Sequence, residues 1–245
     1  MLNNTNSPLV TVVIPSYNRI KFLEQALQSV FRQTLEDYEV VVINDGSSDS
    51  DYFNHDYIDK IHQINLETNQ KNLHGFGPGA IRNFGNIKSN TKYIAFLDDD
   101  DVWLPEKLQV QISIMTKENL EMTAHQIYLG NGIYDESKKY RLGNDEIYLG
   151  IIRGYFKNNN SKLLEIENGM PEKITIAHQK IHNLLITSST IMTKELIDKV
   201  GKFNMKQRNE DHEYWNRALE IIPYCLYIKN PLSYYDNNHG DGRLY

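Results

Sequence analysis

Apolar runs that end in polar clusters, with helical periodicity between them, constrain this chain more than any other feature. "LVTVVIP" (residues 9–15) is rich in β-branched residues and stopped by Pro15, as a buried strand would be. After it, Phe22, Leu23, Ala26, Leu27, Val30 and Phe31 recur at the spacing of one helix face. That predicts an amphipathic helix begun near Asn18. "EVVVIND" reads as a second strand, closed by "NDGSSDSD", and "KIHQIN" as a weaker third. "GPGAIRNFGNIK" predicts a helix with Pro78 in its first turn. "KYIAFL" is the next strand, and Pro105 opens a helix with Leu108, Ile112 and Met115 on one face. This alternation belongs to an α/β protein with a mostly parallel sheet. Such sheets bind ligands at the carboxyl ends of their strands, where "PSYN", "NDGSSD" and "DDDD" all fall.

The second half is less regular. Residues 121–185 mix Gly, Asn and short aromatic or β-branched pieces, so a few strands and mobile loops are expected, with "SKLLEIENGMPEKI" a loop or hairpin. "TKELIDKVG" predicts a short helix capped by Thr193 and ended by Gly201. "NEDHEYWNRALEII" predicts a stronger helix with Tyr214, Ala218 and Ile221 on one face. The Asn-rich "KNNNSK" is too short to link independent domains, and 245 residues suit one large domain or two subdomains sharing a core. Residues 1–8 read as a loose tail.

A net charge of −6 and the lack of a dense Lys/Arg block argue against nucleic acid as a partner. The single cysteine, Cys225, can form no intrachain disulfide and reads as a small buried apolar residue. No run approaches the ~20 apolar residues of a membrane span, and "MLNNTNSPLV" lacks the apolar region of a signal peptide. A cytoplasmic protein is expected, with membrane contact at most peripheral.

The chemistry should sit in the polar clusters. "IAFLDDDDVWLP" ends a strand with four carboxylates, Asp98 to Asp101. A solvated loop, a metal site and a helix start are all open readings. A divalent cation among them would relieve their repulsion, since Mg²⁺ and Mn²⁺ favour hard oxygen donors. An EF-hand is excluded, because its glycine and distal Glu are missing. Asp101 is placed to help start the helix after Pro105. Asp99 is left to hydrogen-bond a ligand or face solvent. Asp45, before Gly46, can accept hydrogen bonds from a ligand's N–H or hydroxyl groups, or close an Asx-turn. Arg82 can bind phosphate or pair with an aspartate. "HGFGPG" is not a phosphate-cradling Walker loop, since no Gly-Lys-Ser/Thr follows. Glu210 and Asp211 suit a helix's first turn in any case.

"VTVVIPSYNRIKFLEQALQSVFRQTLEDYEVVVINDGSSD", "GPGAIRN" with "YIAFLDDDDVWLPEKL", and "VGKFNMKQRNEDHEYWNRAL" together resemble a family 2 glycosyltransferase. The resemblance covers residues 9–120 and about 186–222 and is poor over 121–185. It implies a GT-A fold, a Rossmann-like mostly parallel sheet flanked by helices, with a smaller mixed acceptor-side region. Residues 9–120 would be the nucleotide-sugar half, and 121–245 the acceptor and catalytic-base half. It further implies Pro15, Tyr17, Asp45, Arg82, Asp98 and Asp99 around the nucleotide. Asp100 would ligate Mn²⁺ or Mg²⁺, with His239 as a further ligand. Asp211 would be the catalytic base, supported by Glu210 and by Trp215, which can stack on a sugar or pack in the core. The reaction would be inverting transfer of one sugar from a nucleoside-diphosphate sugar, expected to be a UDP-sugar, to a glycan, lipid-linked or protein hydroxyl. The Q-x-x-R-W motif of processive members is absent. A sugar-phosphate nucleotidyltransferase would carry a Gly-rich basic loop after the first strand, where this chain reads "PSYNRIKF". A non-catalytic sugar-nucleotide-binding module would lack one of the acidic motifs, and both are present.

Overall fold

The structure is a computed structural model that describes residues 7–74, 78–143, 149–155, 169–205 and 209–237. Strands β1 (Val10–Ser16), β2 (Tyr38–Asn44), β3 (His62–Asn65) and β4 (Tyr93–Phe96) are parallel neighbours in the order β3-β2-β1-β4. Val13 stands opposite Val41 on one side and Phe96 on the other. Beyond β4 comes the short antiparallel β9 (Ile191–Thr193), then β6 (Met122–Gly130), β10 (Cys225–Asp236) and β5 (Val102–Trp103). β10 runs parallel to β6, so the two halves of the chain share one sheet. β7 (Arg141–Leu142) and β8 (Lys173–Ile174) attach to β6 and β10.

Strand periodicity splits the core into two layers. Val12, Ile14, Val40, Val42 and Ala95 pack with Leu23, Leu27 and Val30 of α1 (Ile20–Phe31). The same layer holds Leu108, Ile112 and Met115, all on α4 (Lys107–Glu118), as their spacing predicts. Val13, Val41, Ile43, Ile94 and Phe96 face the other way, with Ile81 of α3 (Gly79–Lys88). That layer also takes Leu196 and Ile197 of α6 (Lys194–Val200) and Tyr214, Trp215 and Ala218 of α7 (Glu210–Ile221). Two short helices, α2 (Gln70–His74) and α5 (Ile176–Gln179), complete the elements needed below.

Several expectations change. Asn18 does not cap α1; the N-cap is Arg19, and Asn18 sits in the left-handed region at φ 50. Thr193 does cap α6, accepting from the Leu196 N–H, with Gly201 at its end. In α7 the buried stripe is Tyr214, Trp215, Ala218 and Leu219, while Ile221, at the helix's last position, is 45% exposed. Residues 121–185 contain the nine-residue β6, whose buried polar residues disguise it as irregular. Most of "SKLLEIENGMPEKI", 161–168, lies outside the described residues; its Lys173–Ile174 end pairs with β10. Cys225 is fully buried in β10.

Candidate active site

The three polar clusters meet at the carboxyl edge of β1, β2 and β4, and hydrogen bonds tie them together. The Asn18 N–H donates to Ser47 Oγ at 2.9 Å, and Asn18 Oδ1 accepts from the Ser48 N–H at 3.0 Å. Asparagine tolerates this left-handed backbone because its short polar side chain bonds locally. A relay runs from the Arg19 N–H to Tyr52 Oη at 2.9 Å, from Tyr52 to Ser16 Oγ at 2.6 Å, and from Ser16 to Asp99 Oδ2 at 2.6 Å. Pro15 is buried in β1 and Tyr17 is half-buried at its end. Asp45 is fully buried; its carboxylate accepts from Asn69 Nδ2 at 2.8 Å and from the Gln70 N–H at 2.9 Å. It therefore holds the start of α2 against β2 as well as standing at the strand end.

Each of the four aspartates has its own surroundings. Asp98 accepts from Arg82 Nη2 at 2.5 Å, and the same guanidinium donates through Nη1 to Glu210 Oε1 at 3.1 Å. Arg82 is buried. Burial opposes its charge, but Asp98 and Glu210 outweigh that and hold it protonated. Arg19 donates through Nη2 to Asp99 and through Nη1 to Asp100 Oδ2 at 2.8 Å. Asp99 does not face solvent; it is fully buried. Burial raises its carboxyl to about 7, Arg19 works against that, and Asp100 adds to it. Asp101 does not start the following helix, whose N-cap is Glu106. Instead it is buried, accepting from Ser188 Oγ and, at 2.9 Å, from the Asp236 N–H. Its carboxyl is pushed well up by burial and by Asp100 and Asp98. Repulsion across "DDDD" is thus offset within the protein itself by two arginines, Arg82 on Asp98 and Arg19 on Asp99 and Asp100.

Ser188 also accepts from the Asp98 N–H at 3.0 Å, so one hydroxyl positions both ends of the aspartate run. Trp103 Nε1 donates to the Ser188 carbonyl at 2.8 Å, and β5 pairs Trp103 with Ser233 of β10.

Across from Asp98, α7 begins with Glu210 and Asp211. A Cβ at Gly79 would lie 2.6 Å from Glu210 Cγ, so only glycine lets α3 start this close to α7. Asp211 accepts from Asn183 Nδ2 at 3.1 Å, and Asn183 Oδ1 in turn accepts from the buried Gln179 at 2.6 Å. The Glu210 carboxyl is raised, first by burial, with Arg82 opposing and Asp211 adding. Trp215 is fully buried among Phe96, Phe203 and Tyr214, so of its two readings the core position holds and the sugar-stacking one does not. His239 lies outside the described residues.

Hard carboxylate oxygens are the right kind of donor for Mn²⁺ or Mg²⁺, and the Asp100 side chain keeps 18% of its surface accessible. Among the described residues no three acidic, His or Cys side chains are gathered as a ready-made cage. Phosphate oxygens and water would have to complete the shell, as is usual for Mg²⁺.

Sequence reasoning missed Arg19, Ser16, Tyr52, Asn183 and Ser188. Arg19 and Ser16 were findable, since "PSYNR" ends β1 on the same edge as "DDDD". Asn183 and Ser188 come from distant sequence with no local signal.

The sequence profile of glycosyl transferase family 2 matches residues 11–195. The chain belongs to that family. An uncharacterized glycosyltransferase of Rickettsia typhi is 27% identical over 225 residues, covering 90% of this chain and 62% of the relative. UDP-Glc:alpha-D-GlcNAc-diphosphoundecaprenol beta-1,3-glucosyltransferase WfgD of Escherichia coli is 36% identical over 113 residues, covering 46% of this chain and 43% of the relative. The chain spans less than two thirds of the length of these relatives. Among solved structures, S. aureus TarS 1–349 in complex with UDP-GlcNAc superposes with a TM-score of 0.68 at 19% identity, covering 96% of this chain and 59% of the other. The mannosyltransferase PcManGT of Pyrobaculum calidifontis, in complex with GDP-Man and Mn²⁺, gives 0.58 at 15%, covering 93% and 56%. These neighbours share the GT-A type of fold with this family 2 glycosyltransferase.

Proposed function

We propose that this glycosyltransferase moves a single sugar, with inversion, from a UDP-sugar to an acceptor hydroxyl, using Asp211 as general base. The observation that carries the reading is Arg82. It joins Asp98, at the end of β4, to Glu210, beside Asp211 at the start of α7. With Asp98 read as donor-side and Asp211 as the base, this bridge supports a layout that keeps the two groups close, as a direct displacement needs.

In this reading Pro15, Tyr17, Asp45, Asp98 and Asp99 shape the nucleotide site, and Arg82 adds positive charge near the donor. Asp100, with His239 as a further candidate, would hold Mn²⁺ or Mg²⁺; when bound, the ion supplies charge stabilisation for the leaving diphosphate. Asn183, which donates to Asp211, would orient it for the acceptor, whose hydroxyl would lose its proton there as its oxygen attacks. The UDP preference is supported by the sugar nucleotides named for WfgD and the TarS complex. A glycan, a lipid-linked sugar or a protein would supply the hydroxyl, and WfgD's named lipid-diphosphate substrate favours the second.

The test is a screen of UDP-, GDP- and dTDP-sugars with Mn²⁺ and Mg²⁺ against lipid-linked and glycan acceptors, following nucleoside diphosphate release. Once turnover is found, Asp211→Asn should lose roughly 10³-fold in kcat with donor affinity kept. Near wild-type turnover in that variant would remove Asp211 as the base.

A further inference from the structure

Arg19 occupies the carboxylates assigned above to the donor and its cation. Its two Nη groups divide the work unequally. Nη2 binds Asp99, which is fully buried and also held by Ser16 at 2.6 Å. Nη1 binds Asp100 at 2.8 Å, on a side chain that is 18% accessible. The Arg19 backbone is fixed separately, through its N–H on Tyr52. The guanidinium is therefore anchored at its buried end and can release its outer contact without leaving the site.

We infer that Arg19 is an internal counter-ion for Asp100, which a divalent cation displaces, and that the Nη1 so released serves as a donor to the nucleotide's diphosphate. The inference rests on the reading of Asp100 as the cation's ligand. Its physical basis is economy of charge. In the free protein the guanidinium balances two adjacent carboxylates. When a cation takes over Asp100, Arg19 keeps the buried Asp99 neutralised, and its outer N–H groups lie beside the cation, where phosphate oxygens are drawn. Arginine suits this because its planar fork can hold two acceptors at once and exchange one of them. A lysine, a single point charge, cannot keep Asp99 and serve a phosphate in the same way.

The experiment measures Mn²⁺ affinity by electron paramagnetic resonance without nucleotide, and UDP affinity by calorimetry at saturating Mn²⁺. Arg19→Gln keeps a hydrogen-bonding side chain and removes the charge. It should bind Mn²⁺ roughly tenfold more tightly, because a like charge beside the ion is gone, and bind UDP more weakly. These opposite signs are the signature; a residue that only supports the fold moves both affinities in one direction. Both weakened or both unchanged overturns the inference. Wild-type protein gives a readout that does not depend on the variant's folding. On titration with Mg²⁺, the Arg19 side-chain N–H resonances, assigned with Arg19→Lys, should shift and saturate with metal occupancy. Static resonances overturn the inference. Asp100→Asn tests the underlying reading separately: Mn²⁺ binding equal to wild type shows that Asp100 is not the ligand, whatever Arg19→Gln does.

Discussion

At the residue scale, the polar side chains buried away from the strand-end edge are as informative as those along it. His125 on β6 is fully buried, its Nδ1 against the Gln126 carbonyl at 2.8 Å. Burial first, and then the equally buried Lys107, lower its pKa to about 3. The unfolded chain would protonate this imidazole near 6.5, so between about pH 6.5 and 3 the unfolded state binds the extra proton and stability falls as pH falls. The expected size at pH 4.5 is roughly 2–3 kcal/mol, two pH units at ~1.4 kcal/mol each. His125→Gln removes this term. The stability gap between variant and wild type, from urea unfolding, should shrink on going from pH 7 to 4.5; a constant gap would mean that His125 is solvated. Neither the burial of His125 nor that of Lys107 is legible locally, because "MTAHQIYLG" and "PEKLQ" look amphipathic. By contrast, the importance of "DDDD" was visible at once. Only the division of labour within it was not, since Asp99 and Asp101 depend on partners 80 or more residues away.

At the scale of elements, α7 and the segment before β9 must stay in register for Asp211 to be held. Asn183 bridges them, accepting from Gln179 at the end of α5 and donating to Asp211. Asn183→Ala should lower kcat by roughly ten- to a hundredfold, the usual cost of a misplaced catalytic group, with UDP affinity kept. Combined with Asp211→Asn it should cost nothing further, because the two act as a unit. Additive losses would show that Asn183 works by another route. The helices themselves were largely readable. The apolar stripes of α1 and α4 follow the 3.6-residue period, and α6 carries its own cap and stop. Their starts were less so. Asn18 looks like a helix cap, yet tertiary contacts to Ser47 and Ser48 claim it, and Arg19 takes the cap position.

For the molecule as a whole, binding at the strand-end edge should stabilise the entire sheet, since β1, β2, β4 and β10 all contribute to it. UDP with Mg²⁺ at about 100 times its Kd should add ~2.7 kcal/mol and raise Tm by roughly 5–10 °C for a chain of this size. No shift with any nucleoside diphosphate would remove the nucleotide site, and a larger shift with GDP would overturn the UDP assignment. Among the described residues no helix is long and apolar enough to cross a membrane. What the sequence determined by itself was the alternation of strands and helices, the edge on which the polar clusters fall, and through its motifs the family. These are local properties, written in periodicity and in residue types at short spacing. Only the tertiary structure decided which charges neutralise one another. Arg19 with Asp99 and Asp100, and Arg82 with Asp98 and Glu210, pair charges from separate segments, and Asp101 takes a hydrogen bond from the distant Ser188. Such pairing depends on distance and burial in space, and neither is encoded in the spacing along the chain.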